Sequence, residues 1–192
     1  MVKNRLFILI ISIAFAISCS SVKQANNLKD CNYSFASIED LKVGNIDIQG
    51  KQSFRDLNMS ETTGISQFLM AKKLPISLTA NISITNPNSK TASIDVLEWI
   101  LLIRDKEIAK GVITNKIEVK PNQTINIPIP ISTDIGTILK AFSLKEITQI
   151  MFNISDISGI PVEAKLKVKP SIRVGKKEIK SPSFFIINVP TK

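Results

Sequence analysis

The stretch Ile76-Ser77-Leu78-Thr79-Ala80-Asn81-Ile82-Ser83-Ile84 decides the fold. Every even position is apolar, and every odd one is Ser, Thr or Asn. Successive side chains of an extended chain point to opposite faces, so one face of this segment is apolar and the other is wet. A helix would need apolar residues at every third or fourth position. The segment is a β-strand with one buried face.

The same alternation recurs on both sides of it. Ile125, Ile127, Ile129 and Ile131 form one run; Val162, Ala164, Leu166 and Val168 form another, followed by Ile172 and Val174. Phe184 to Val189 makes a closing strand. Val96 to Ile103 (VLEWILLI) is almost continuously apolar and reads as a central strand with a bulge or twist near Glu98. Ile108 to Val119 supplies two short stretches around Gly111. Pro128 and Pro130 sit opposite the isoleucines of their run. Proline has no N–H to give to a ladder, so this strand belongs at a sheet edge.

Two segments break the alternation. Glu61 to Lys73 places Ile65, Phe68 and Leu69 at helical spacing and ends before Pro75. Asp134 to Met151 carries Ile135, Ile138, Leu139 and Phe142, then Ile147, Ile150 and Met151. Asp134 is a good N-cap, and Ser143-Leu144-Lys145-Glu146 has capping-box spacing. Two short helices, or one broken helix, are expected over an open end of the sheets. About seven strands with two helical insertions make a mainly β protein, an antiparallel β-sandwich.

The central strand runs into Thr85-Asn86-Pro87-Asn88-Ser89, a tight turn by ordinary chemistry. Beyond it lie Trp99, the charged turn Arg104-Asp105-Lys106-Glu107, the step Ile108-Ala109-Lys110-Gly111, and Ile127-Pro128-Ile129-Pro130-Ile131. This order over residues 74–133 resembles the type 2 late embryogenesis abundant (LEA) domain, also called the WHy (water stress and hypersensitive response) domain. Asn122 and Gln123 stand where that family commonly has glycine, a departure that touches only the turn. The resemblance implies an immunoglobulin- or fibronectin-III-like sandwich over residues 32–190 and a setting of stress or desiccation. It brings no catalytic residue and no cofactor. Asn86, Pro87 and Asn88 carry over as a structural turn only.

The N-terminus reads as an address. Lys3 and Arg5 precede the apolar run Leu6 to Ile17, about 12 residues long, which suits a secretory signal and falls short of the roughly 20 that span a bilayer. Ala16-Ile17-Ser18-Cys19 resembles the lipobox of bacterial lipoproteins. That resemblance implies cleavage after residue 18 and acyl chains on Cys19, an anchor that two or three chains would make essentially permanent. Ser20 stands where a retaining Asp is found in some lipoproteins, which by the same resemblance favours the outer membrane. Residues 19–31 read as the lipidated cysteine and a flexible polar tether. The expected location is the cell envelope, facing the periplasm.

Composition removes many activities. The 192 residues contain no histidine, which excludes Ser-His-Asp and Cys-His catalysis and every His-ligated metal. Two cysteines build neither a four-cysteine zinc site nor a disulfide scaffold. Cys31, the thiol left beside Cys19, is expected as a partly buried small residue. Glu39-Asp40 and the Asp105/Glu107 turn lack the look of tuned carboxylates, and no Gly-rich phosphate loop is present. A formal charge of +9 is spread out, with Lys165, Lys167 and Lys169 on the outer face of one strand. They form a solvated face or a contact for an anionic envelope surface. Few aromatics disfavour nucleic acid. Trp99 is expected in the core.

The expected role is non-enzymatic: an envelope lipoprotein with a binding or stress-protection function. Its partners would be the membrane, through Cys19, and an anionic surface or another protein. Two alternatives are an apolar-ligand or lipid carrier with a cavity under the 134–151 helices, and an accessory subunit of an envelope complex.

Overall fold

Alternation at period two becomes two antiparallel sheets stacked on a shared interior. The computed structural model describes residues 27–51, 53–70, 74–143, 145–147, 150 and 163–189. The expectations placed on the signal segment, Cys19, residues 20–26, Lys72-Lys73, Met151 and Val162 lie outside these residues. The strands are β1 (Asn32–Val43), β2 (Ile46–Asp47), β3 (Pro75–Thr85), β4 (Ala92–Ile94), β5 (Val96–Ile103), β6 (Lys106–Ile113), β7 (Ile117–Val119), β8 (Thr124–Asp134), β9 (Ala164–Val174), β10 (Lys177–Lys180) and β11 (Phe185–Val189). One sheet runs β2-β1-β3-β8; the other runs β10-β9-β5-β6, with β11 also paired to β9; β4 and β7 form a two-stranded ribbon.

Strand β3 is the deciding stretch quoted above. Its even residues point inward, with Ile82 and Ile84 fully buried. Among the described residues strand β8 pairs only with β3, so Pro128 and Pro130 lie on an edge as expected. Strand β5 sits between β9 and β6, the central place its apolar run implied. Trp99 is buried in the core, and its indole lies over Gly111 on β6, its cross-strand partner. A Cβ at Gly111 would stand 2.5 Å from Trp99 Cζ2, so the glycine is what lets the ring lie flat against the backbone.

The structure corrects the reading at four places. Gly111 lies inside β6 rather than between two stretches. The bulge is not near Glu98: β5 and β6 shift register between Leu101 and Leu102, leaving Ile108 as the extra residue on β6. Among the described residues there are eleven strands, because β1 and short ribbons such as β4, β7 and β10 escape a search for clean alternation. Strand β1 itself shifts register between Phe35 and Ser37 and again between Glu39 and Lys42. Finally, Leu28 and Cys31 are buried in the core, so the packed domain takes in the last residues of the expected tether.

The helices fall where the breaks in alternation put them. Helix α1 (Met59–Met70) begins with a reciprocal box: Asn58 N donates to Glu61 Oε2 at 2.8 Å, and Glu61 N donates to Asn58 Oδ1 at 2.9 Å. Helix α2 (Ile135–Leu139) is capped by Asp134, whose carboxylate accepts from Gly136 N at 2.7 Å.

Candidate functional site

The core divides into two clusters. One gathers Ile82, Ile84, Ile94, Leu97 and Trp99 around the Asn86 end. The other gathers Leu41, Ile76, Ile103, Ile108, Ile135, Ile138, Phe142, Ile147 and Ile150 at the opposite end. A cavity lies mainly in the second cluster and reaches Leu101 and Ile131 of the first, with about 50 Å3 open to the centre of a water molecule. Its walls are Leu41 of β1, Ile76 and Leu78 of β3, Leu101 and Ile103 of β5, Ile108 of β6, and Ile131 and Thr133 of β8. Its roof is Ile138, Ile147 and Ile150.

The two register shifts explain why the void is here. Leu41 follows the β1 irregularity at Glu39/Lys42, where Asp40 adopts a φ of 56°. Ile108 is the bulged residue of β6. Both are buried and both line the cavity. A bulge bends its strand and raises the local twist, and the two bulged stretches each put one residue, Leu41 and Ile108, on the wall of the void. Ten of the eleven lining residues are aliphatic. The eleventh, Thr133, already donates its hydroxyl to Ile108 O at 3.2 Å. A buried water needs two to four polar partners, and this lining does not supply them. The space suits an apolar group.

The roof is fastened to the β5–β6 hairpin. Arg104 and Asp105 form its two-residue turn with φ of 47° and 60°, the positive pair of a type I′ loop. From this turn Arg104 Nη1 donates to Glu146 Oε1 at 2.9 Å. Lys106 Nζ donates to Ala141 O at 2.5 Å and lies 4.8 Å from the centre of the Phe142 ring. Glu146 also closes the expected capping box: Ser143 N and Oγ donate to Glu146 Oε2 at 2.9 and 2.8 Å. The Ser143 N–H and hydroxyl, with Arg104 and Lys106 behind them, hold the Glu146 carboxyl below its usual range.

The NPN turn is at the other end of the molecule and does more than reverse the chain. Asn86 is fully buried. Its Nδ2 lies within hydrogen-bonding distance of Lys90 O (2.9 Å), Val119 O (2.8 Å) and Lys120 O (3.3 Å). Its Oδ1 accepts from Asn88 N at 3.0 Å and Asn88 Nδ2 at 2.8 Å. One amide thus ties the end of β3 to the turn before β4 and the end of β7. Cys31 packs beside it, 3.9 Å from Asn86 Oδ1; burial first, then Asp30, pushes the thiol up to about 11. These residues form a structural hub remote from the cavity.

The remaining candidates are dispersed. Lys165 is paired with Asp105 at 3.0 Å and Glu163 at 2.7 Å, so the basic strip is partly neutralised, and Lys169 keeps its charge 5.2 Å from the Phe184 ring centre. Among the described residues no group of three His, Cys, Asp or Glu could hold a metal ion. The sequence reading missed Leu41 and Ile108 as lining residues, because bulges break the alternation that would have revealed them. It saw the charged turn at 104–107 without its link to the roof. Asn58-x-x-Glu61 carried a legible capping signature.

A family model described as late embryogenesis abundant protein matches residues 81–184. The match runs beyond the stretch 74–133 that carries the resemblance at its C-terminal side. Among solved structures, the chain is similar to a protein from Archaeoglobus fulgidus at 10% identity, covering 82% of this chain and 97% of that one, with a TM-score of 0.41. It is similar to a candidate late embryogenesis abundant protein at 13% identity, covering 99% and 88%, with a TM-score of 0.38. An Arabidopsis thaliana protein matches at 17% identity over 82% and 83%, with a TM-score of 0.37. No curated protein matches the chain significantly.

Proposed function

Since the chain belongs to the late embryogenesis abundant protein family, a stress-related or binding role is its starting point, and we propose that it is a non-enzymatic envelope protein that holds an apolar ligand in the end cavity. The observation that carries this reading is the lining: ten aliphatic side chains and one threonine whose hydroxyl is already used. Each CH2 group moved from water into such a space gains about 0.8 kcal/mol. A few methylenes are enough for a useful preference.

The protein works on a leash in this proposal. Acyl chains on Cys19 hold it to a membrane, probed by replacing Cys19 with Ser: the variant should leave the membrane fraction, and unchanged partition would remove the anchor from the account. The binding proposal has its own test. The full chain, extracted from cells in mild detergent and purified, should release an apolar compound into organic solvent, detected by mass spectrometry. An extract no different from a detergent blank, together with no uptake of added alkyl ligands, would refute it.

A further inference from the structure

Among the described residues, the seam between the hairpin and the roof is short of one negative charge. Two cations, Arg104 and Lys106, reach across it, and of the described carboxylates Glu146 alone meets them. The acids nearest in sequence are turned elsewhere: Asp105 to Lys165 at 3.0 Å and Glu107 to Lys110 at 3.0 Å. Glu146 is itself divided, one oxygen accepting from Ser143 and the other from Arg104. A guanidinium has five N–H donors and an ammonium three, so both cations have donors to spare. Arg104 and Glu146 are about a third exposed, so the seam opens to solvent.

The same seam borders the cavity. Ile103 and Ile108, which line it, flank the turn that carries Arg104 and Lys106. Ile147, part of its roof, follows Glu146. An aliphatic pocket with two cations beside it is matched by a chain with an anionic head.

We propose that the ligand is a single-chain anionic amphiphile of the fatty-acid type, its alkyl end in the cavity and its carboxylate at Arg104 and Lys106. This rests on the cavity being the binding site and names what it selects. Arginine meets a carboxylate through two parallel N–H donors. The volume admits the end of one chain rather than a whole two-chain lipid, so the tail enters methyl-first and the head stays at the seam.

The test is a calorimetric titration of the full chain in phosphatidylcholine nanodiscs at pH 7.5, with empty nanodiscs subtracted. Octanoate and 1-octanol have the same chain length and differ in head charge. Octanoate should bind at least tenfold more tightly than 1-octanol. The double change Arg104→Asn with Lys106→Gln should bring the ratio of the two affinities close to one, whatever loosening the roof does to both; a ratio still near tenfold would overturn the role of the two cations. Asparagine suits the positive φ at 104. Glu146→Gln preserves the capping box and should tighten octanoate about threefold by removing its competitor. Equal affinities in the unaltered chain would overturn the anionic head and leave the apolar site standing. Binding of neither compound would overturn both.

Discussion

At the Asn86 end of the sandwich, backbone carbonyls converge on one buried amide; at the other end, three isoleucines roof an aliphatic void. Both ends solve the same problem. Where paired strands run out, carbonyls and core side chains must be covered. The polar solution is directional and leaves no slack: Asn86 fixes three separate segments, and the cluster beneath it includes fully buried Ile82 and Ile84. The apolar solution covers without fixing. Its bulged strands leave room, and among the described residues its roof is held by one ion pair, one lysine contact and two short capped turns. Open space collects at the end where closure is non-directional.

The largest effect that would sharpen this contrast is large-to-small substitution in each half. Ile82→Ala should cost about 4 kcal/mol and Ile138→Ala about 2, since deletions beside space that already exists add less new void. Urea unfolding midpoints measure both, and equal losses would erase the distinction between tight and loose halves. Asn86→Ala comes next, at about 3 kcal/mol, because it leaves buried carbonyls without a donor. A loss below about 1 kcal/mol would mean that the hub is decoration. Ser143→Ala at the roof should cost only about 1 kcal/mol, with the change confined to amide exchange in residues 145–147.

Acid should separate the two ends. The Glu146 carboxyl titrates below its usual range in the fold, so its ionised form stabilises the roof above the ordinary glutamate value of about 4.3. That contribution disappears as pH falls from there through the lower native value. Amide exchange at 145–147 should accelerate over this acidic window while the Asn86 turn stays protected; simultaneous loss would contradict separate closure. The smallest effect is at Cys31. With its thiol raised to about 11, alkylation at pH 8 should be negligible until the protein is unfolded, and rapid native labelling would show that the Asn86 end is open.

How much of this was legible depends on how regular the local chemistry is. Strands β3 and β8 and the first half of β9 could be read because their apolar and polar residues alternate, and Pro128 and Pro130 even announced the edge. The roof could be read from Asp134 and the Ser143/Glu146 box, and its position over an open end followed from its apolar spacing. Strand β1 was hidden because two register shifts break its alternation, and Ile108 was hidden for the same reason. A bulge depends on both partners, and a single strand does not record its partner. The role of Asn86 was half legible: the turn was plain, but the acceptors at 119 and 120 are brought to it by the β4–β7 ribbon.

The most direct measurement is an isoleucine-methyl NMR titration of the full chain in nanodiscs with 1-octanol, a ligand without charge. Shifts should concentrate at Ile76, Ile103, Ile108, Ile131, Ile138 and Ile147, with Ile82, Ile84 and Ile94 unmoved. Shifts centred on that second group, or no saturable shift anywhere, would contradict a binding site at the bulged end.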